Sequence, residues 1–448
     1  MACQLFGTDG IRGVANVFPM TAELCFRLAQ VLSSDVCVSA KRVAIGKDTR
    51  VSSYMLEAAL TAGFTSMGVD VVKMGVVPTP LMTSQIQDLK VDMGVMITAS
   101  HNSYFDNGIK LIGALGNKFS DERTAKIEAM LISDRKFTSS SEAVGRVYKD
   151  KKSVLNYTDG ILQIAPSGGA LKGLRIVVDC ANGAFSKIMP QVFKELGAGI
   201  ITLADKPDGY NINENCGSQH TDFLSQVVIG SHADAGIAVD GDGDRLVVID
   251  NKGNRIEGDQ IIAFLATYLS IAKKLKNNAV VATVWSNMGL EKYLHSLGLD
   301  FYRTPVGERY VIEKMRQTAA SFGGEESGHI VLLDYARTGD GLIAAIVFCL
   351  ALIEDGREAS DIFPLFEKYP SKAGNIRFES FEKLSDVADA PQLAEVVALI
   401  EEKIKNEGSV IVRKSGTEPV LKVKVEGRDE STVFGAYARI VETINRLK

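Results

Sequence analysis

The sequence predicts an α/β fold in several domains, and three observations carry that reading. The chain has 448 residues, beyond the ~250–300 at which one hydrophobic core stops growing, so three or four domains should share it. Three segments repeat one pattern: a β-branched run, a turn of small or polar residues, a helix-period stretch, and a Leu-Gly or Met-Gly stop. After Tyr369-Pro370-Ser371 the composition becomes more charged and the pattern changes.

The first repeat runs from Arg42-Val43-Ala44-Ile45-Gly46 to Met67-Gly68 and then Val69-Asp70-Val71-Val72. The second runs from Arg175-Ile176-Val177-Val178-Asp179 to Leu196-Gly197, and the third from Val280-Val281-Ala282-Thr283-Val284 to Leu297-Gly298. Glycine closes each helix because it takes positive φ without a Cβ clash. The thirteen apolar residues from Gly341 to Ile353 end at Glu354-Asp355, too short to span a bilayer and suited to a buried helix. The last segment reads as a separate α+β domain: a helix over 390–405, strands over 409–412 and 420–426, and a closing helix over 431–446. Polar stretches at Ser139-Ser140-Ser141-Glu142 and Asn251-Lys252-Gly253-Asn254, with the change after 369, divide the chain into 1–150, 151–253, 254–369 and 370–448.

A net charge of -5 with scattered Lys and Arg excludes a general nucleic-acid binder. The six cysteines form no CxxC pair, and Met1-Ala2-Cys3-Gln4-Leu5-Phe6 has neither a basic start nor an apolar core. A cytoplasmic protein with reduced thiols and no membrane partner is expected.

Chemistry concentrates in five segments. Thr98-Ala99-Ser100-His101-Asn102 follows the apolar run Met93-Gly94-Val95-Met96-Ile97, which puts Ser100 at a strand's carboxyl end, where open α/β sheets bind ligands. As a phosphoserine, Ser100 becomes a phosphoryl donor that attracts a divalent cation. Asp240-Gly241-Asp242-Gly243-Asp244-Arg245 offers three carboxylates at alternate positions, hard ligands for Mg²⁺ or Ca²⁺. A calcium loop fails on spacing, because Arg245 stands where its glycine belongs and Asn251 where its glutamate belongs; a three-carboxylate Mg²⁺ site completed by phosphate fits better. Lys110 and Arg245 are phosphate-pairing cations.

Phe6-Gly7-Thr8-Asp9-Gly10-Ile11-Arg12-Gly13 sets glycines around Arg12, a weak signal alone. Arg413-Lys414-Ser415-Gly416-Thr417-Glu418-Pro419 has the cations, hydroxyls and flexible backbone of a phosphate clasp. No GxxxxGK[ST] occurs, so ATP is not implied. Gly323-Gly324-Glu325-Glu326-Ser327-Gly328-His329 reads either as a sugar-hydroxyl site or as a capping turn, and its histidine as a proton-transfer group or a structural one.

Five such motifs in this order, from residue 6 to 419, resemble the α-D-phosphohexomutase superfamily along essentially the whole chain. Pro207-Asp208-Gly209-Tyr210-Asn211-Ile212-Asn213, followed by Cys216-Gly217-Ser218 and His220, resembles its amino-sugar branch. The resemblance implies three similar α/β mixed-sheet domains plus a C-terminal α+β domain around a central cleft. It also implies interconversion of glucosamine 6-phosphate and glucosamine 1-phosphate through a bound hexosamine 1,6-bisphosphate, in amino-sugar and cell-wall precursor synthesis. Ser100 is then the phosphoserine, ligating one Mg²⁺ with Asp240, Asp242 and Asp244. Glu325 and Ser327 contact sugar hydroxyls, and Arg413, Ser415, Gly416 and Thr417 hold the distal phosphate. Arg12, Lys110 and Arg245 stand near the phosphoserine, and His329 faces the sugar, with Lys110 and His329 the proton-transfer candidates. The fourth domain is expected to close the cleft on a hinge near 366–372, and the protein to be a monomer or homodimer.

Two positions depart from the family pattern: Ser103 replaces a proline, and Glu326 replaces a glutamine, which leaves open either ammonium recognition or a drift toward glucose. Competing readings are a phosphoglucomutase or phosphomannomutase, and a catalytically silent sugar-phosphate binding protein.

Overall fold

The computed structural model describes all residues except 1–4, 8, 35–37, 166–168, 406 and 416–418. Among the described residues the strands form four sheets, of seven, five, four and three strands.

Three of these sheets share one four-stranded design. In the first, Asp106–Gly113, Met93–Ile97, Arg42–Lys47 and Asp70–Val76 lie side by side. In the second the same places are taken by Leu246–Asp250, Ala235–Val239, Arg175–Asp179 and Gly199–Leu203, and in the third by Ile330–Leu332, Phe322–Gly324, Ala279–Thr283 and Asp300–Thr304. The last three strands of each set are parallel, and the first returns antiparallel to its neighbour. Each four-stranded set therefore makes one tight reversal, from the second strand to the first: at Thr98 to Phe105, at Asp240 to Arg245, and at Glu325 to His329. Three of the five segments singled out in the sequence are these reversals.

The repeats form as their patterns require. Helices Ser52–Ser66, Ile188–Glu195 and Met288–Ser296 end beside Gly68, Gly197 and Gly298, whose φ values of +80, +89 and +72° let the chain turn back into the next strand. Helix Gly341–Asp355 is almost wholly buried, with Asp340 capping its start by accepting from the amides of Leu342 and Ile343. Its side chains lie in an apolar core that runs through all three domains, from Val72 and Ile176 to Val280 and Phe348. That shared core fixes the three reversals relative to one another.

The C-terminal domain is built differently. Its antiparallel sheet has Val420–Gly427 between Ser371–Arg377 and Gly408–Lys414, with helices Phe381–Ala388, Pro391–Lys403 and Glu430–Leu447 packed on a core of its own. Strand Ser371–Arg377 and helix Phe381–Ala388 were not foreseen from the sequence.

Candidate active site

Ser100 sits one turn past Met93–Ile97 with φ +54° and is buried. Its amide donates to Thr98 Oγ1 at 2.9 Å, and its Oγ donates to Asp240 Oδ2 at 2.5 Å. Serine and aspartate come from the reversals of two different sheets, so the first link between the motifs is made across domains.

The acidic loop converges as its spacing predicts. One oxygen from each of Asp240, Asp242 and Asp244 lies within 4.8 Å of the others, and all three residues are buried. Gly243 takes φ +77°, which allows the reversal within so few residues. Thr79 ties the loop down, its Oγ1 donating to Asp242 Oδ2 at 2.6 Å and its amide to the Asp242 carbonyl at 2.9 Å. Burial, followed by the charges of Asp244 and Asp242, pushes the Asp240 carboxyl up to about 7. Asp242 Oδ1 is buried without a hydrogen-bond partner among the described residues. Three converging buried carboxylates, one with an orphaned oxygen, fit a hard divalent cation.

The cations gather around this loop. Lys110, opposite Met96 in the first sheet, places Nζ 2.7 Å from Asp242 Oδ2 and 2.9 Å from Asp244 Oδ2. Burial works against its charge, but Asp242, Asp244 and Asp9 together hold its pKa well above the ordinary lysine value. Arg12, on strand Gly10–Val14, donates to Asp9, and the Arg245 amide donates to Asp240 Oδ1 at 3.2 Å.

His329 joins the third reversal to the acidic loop. Its Nε2 lies 3.0 Å from Asp244 Oδ1 and its Nδ1 2.8 Å from Glu325 Oε2. Burial and Arg245 oppose protonation, yet Asp244 and Glu325 outweigh them and raise the imidazole to about 10. Glu325 also accepts from the Gly307 amide at 2.9 Å, and Ser327 Oγ lies 3.4 Å from His329 Nδ1. His101, beside Ser100, is the opposite case: burial and the charges of Arg245 and Arg12 push it down to about 3, so it is neutral at physiological pH.

The sequence-predicted residues Ser100, Arg12, Lys110, Asp240, Asp242, Asp244, Arg245, Glu325, Ser327 and His329 thus form one cluster. Arg413 stands on strand Gly408–Lys414 of the fourth domain, half-buried, close enough to feel the Glu325 charge. The Ser415 amide donates to the Val420 carbonyl at 2.8 Å, while Gly416 and Thr417 lie outside the described residues.

Several residues of this cluster escaped the sequence reading. Arg50 is fully buried beneath the serine loop, where it donates to the carbonyls of Ser100, Asn102, Ser103 and Asp106. Lys118 bridges Asp9 Oδ1 at 2.7 Å and Glu308 Oε2 at 2.8 Å, joining the first domain to the third. Asn213 lies in the segment taken as a branch marker, yet its amide reaches the serine loop. Asp48-Thr49-Arg50 after an apolar strand was the available signal for Arg50; Lys118 had none.

Family models for phosphoglucomutase/phosphomannomutase alpha/beta/alpha domains I, II and III match residues 3–137, 156–253 and 257–369, and the one for the C-terminal domain matches 375–442. A phosphoglucosamine mutase of Paramagnetospirillum magneticum is 45% identical over 449 residues, covering 100% of this chain and 99% of that protein. That of Granulibacter bethesdensis is 46% identical over 444 residues, covering 98% and 95%. The chain belongs to the phosphoglucosamine mutase family of the α-D-phosphohexomutases.

Solved structures share the fold. A phosphoglucomutase/phosphomannomutase family protein of Burkholderia thailandensis superposes with a TM-score of 0.80 at 24% identity, covering 100% of this chain and 97% of that one. The N-acetylphosphoglucosamine mutase of Aspergillus fumigatus, in complex with GlcNAc-6P and magnesium, gives 0.68 at 16% identity, covering 99% and 96%. In this phosphoglucosamine mutase family member no helix among the described residues is long and apolar enough to cross a membrane.

Proposed function

We propose that this protein interconverts glucosamine 6-phosphate and glucosamine 1-phosphate, with Ser100 as the phosphoryl carrier. The observation that carries the reading is the 2.5 Å contact of Ser100 Oγ with Asp240 in a loop of three converging carboxylates. It is supported by full-length similarity to phosphoglucosamine mutases.

In this reading Asp240, Asp242 and Asp244 hold one Mg²⁺ together with the Ser100 phosphate. When bound, the ion neutralises charge on the transferring phosphoryl oxygens. Phosphoserine Ser100 gives its phosphoryl group to the free oxygen of the sugar monophosphate, forming a 1,6-bisphosphate; the P–O bond to Ser100 breaks as the new one forms. After reorientation the other phosphoryl group returns to Ser100. Arg12, Lys110 and Arg245 stabilise the developing charge. His329, held protonated between Asp244 and Glu325, is the candidate to give a proton to the reacting sugar oxygen, with Lys110 as the alternative. Glu325 and Ser327 contact sugar hydroxyls. Arg413, with Ser415, Gly416 and Thr417, clasps the phosphate that is not reacting in either half.

The proposed domains are 1–150, 151–253, 254–369 and 370–448, with the last closing on a hinge at 366–372. We place the enzyme in the cytoplasm, as a monomer or homodimer primed by a hexose 1,6-bisphosphate. The test is a coupled assay of glucosamine 6-phosphate conversion with Mg²⁺ and primer, beside glucose and mannose phosphates and Ser100→Ala. Preferred, Ser100-dependent turnover of glucosamine phosphate is expected. Preference for glucose or mannose phosphate would overturn the sugar assignment, and turnover by Ser100→Ala would overturn the phosphoserine.

A further inference from the structure

The turn at Ser100 is held from two domains at once. A non-glycine residue at φ +54° sits in the left-handed region, at a cost of roughly 1–2 kcal/mol, and persists where its surroundings over-determine it. Here the carbonyls of Ser100 and Asn102 each accept two hydrogen bonds. Arg50 Nη2 supplies one to each, at 3.0 and 2.8 Å, and Asn213 Nδ2 supplies the other to each, at 2.9 Å in both cases. Arg50 belongs to the first domain and Asn213 to the second.

Arg50 is spent entirely on this loop and its anchor. Nη1 donates to the carbonyls of Ser103 and Asp106, and Nε donates to Asp48 Oδ2 at 2.9 Å, so all five of its N–H groups are engaged. It accounts for the fold of the loop but not for its aim at a different sheet. Asn213 provides that aim. Its own φ is +58°, its amide N–H donates to the Ala181 carbonyl at 2.9 Å, and its Oδ1 is buried without a partner among the described residues. The two side-chain N–H bonds to the serine loop are therefore what this side chain contributes. The acidic loop packs on the same spot: a Cβ on Gly241 would lie 2.8 Å from the Ser100 carbonyl oxygen and 2.9 Å from Asn213 Nδ2. A shift at Asn213 would move Ser100 relative to Asp240 while leaving the three aspartates in place relative to one another.

We propose that Asn213 is a positioning residue for phosphoryl transfer: from the metal-loop domain it grips the Ser100 and Asn102 carbonyls and, with Arg50, aims the Ser100 hydroxyl at Asp240. This rests on Ser100 being the phosphoryl carrier. It gives segment 207–213 a task in the chemistry.

The experiment compares wild type, Asn213→Gly, which removes the amide while tolerating positive φ, and Asn213→Asp, which is isosteric but turns one donor into an acceptor facing two carbonyls. Asn182→Ala is the control, because Asn182 ties the same segment through the Asn211 carbonyl and the Lys206 amide without touching the serine loop. The readouts are kcat and KM, the rate of Ser100 phosphorylation by glucose 1,6-bisphosphate followed by intact mass, and the Mg²⁺-induced thermal shift of unphosphorylated protein. Both Asn213 variants are expected to lose about 10²-fold in kcat and in phosphorylation rate, as for a misplacement of about 1 Å. KM should stay within about threefold, the mark of an effect on the reacting state, and the Mg²⁺ shift should be unchanged. Asn182→Ala should lower Tm and keep kcat. Wild-type phosphorylation rates in whichever Asn213 variant folds, or an Asn182→Ala loss equal to theirs, would overturn the positioning role alone. A wild type that turns over without ever carrying phosphate on Ser100 would overturn this role and the underlying reading together.

Discussion

Ser100 Oγ donates to Asp240 Oδ2 at 2.5 Å, although 140 residues separate them and each stands at the reversal of a different sheet. Asp240→Asn keeps the acceptor oxygen and the shape but removes a charge from the acidic loop. The expected result is a fall in kcat of about 10²–10³-fold, the scale for losing one electrostatic contact to a reacting group. The stabilisation by Mg²⁺ should weaken in parallel, read as a smaller Tm shift on titration.

Close approach of the two loops depends on Gly241. A Cβ there would sit 2.7 Å from Ile212 Cδ1 and 2.8 Å from a backbone oxygen, which cannot give way as a flexible side chain can. Gly241→Ala should cost about 1–3 kcal/mol by overpacking and lower kcat at least ~10-fold by separating Ser100 from Asp240. Denaturant titration and steady-state kinetics would check the two effects separately.

What was legible in the sequence follows from period and spacing. Val177, Val281 and their neighbours form near-continuous apolar runs because parallel strands are buried on both faces, and Gly68, Gly197 and Gly298 punctuate the helices. Strand Ser371–Arg377 was missed because it is an edge strand with mostly exposed residues and no β-branched run. The catalytic candidates were visible where chemistry needs several like groups close in sequence, as at Asp240, Asp242 and Asp244. Arg50, Lys118 and Asn213 act through partners 50 to 190 residues away, and no local pattern announces such a contact.

Lys118 exemplifies that class. Its ammonium is held between Asp9 and Glu308, and although burial opposes the charge, Asp9 and Glu308 raise its pKa above the usual lysine value. Lys118→Met would fill the same space and leave buried Glu308 without its ion-pair partner, whereas Asp9 keeps Arg12 and Lys110. Breaking such a contact costs about 3–5 kcal/mol when fully buried; with some exposure remaining at Lys118 and Asp9, about 2–4 kcal/mol is expected. Equilibrium unfolding of wild type and variant would measure it.

Asp340 gives the protein a pH-dependent stability beside the acidic loop, whose Gly243 carbonyl accepts from the Gly341 amide at 3.0 Å. It caps helix Gly341–Asp355 and accepts from Tyr157 Oη at 2.8 Å, and burial pushes its carboxyl up to about 6, with the amide bonds from Ile343 and Leu342 and the Tyr157 hydroxyl opposing. Because the folded value exceeds the unfolded one, near 3.9, its contribution is fully present below pH 4 and is lost as pH rises through about 6. Asp340→Asn keeps an acceptor for the helix amides and has no charge to bury. Relative to wild type it should gain roughly 1–3 kcal/mol at pH 7 and nothing near pH 4. Thermal unfolding of both proteins across that range tests the sign and the window.

Glu326 stands where the family pattern has glutamine, but its surroundings argue against ammonium recognition. It lines a cavity of about 370 Å³ between the third and fourth domains, together with Lys368 and Lys424. Burial raises its carboxyl and outweighs the opposing charges of Lys424 and Lys368, which pair instead with Glu426 and Glu257. Lys424 in turn lies over the Trp285 ring at 5.6 Å and donates to the Trp285 carbonyl, tying that cation to the third domain. The lining of that cavity includes none of Glu325, Ser327 and His329, so Glu326 opens on a different space from the proposed sugar contacts. Glu326→Gln should therefore leave the ratio of kcat/KM for glucosamine and glucose phosphates within about twofold of wild type, because less than ~0.5 kcal/mol of discrimination would pass through it. Competition assays with the two substrates measure this ratio directly. A tenfold fall in the preference for glucosamine phosphate would instead make Glu326 the ammonium contact.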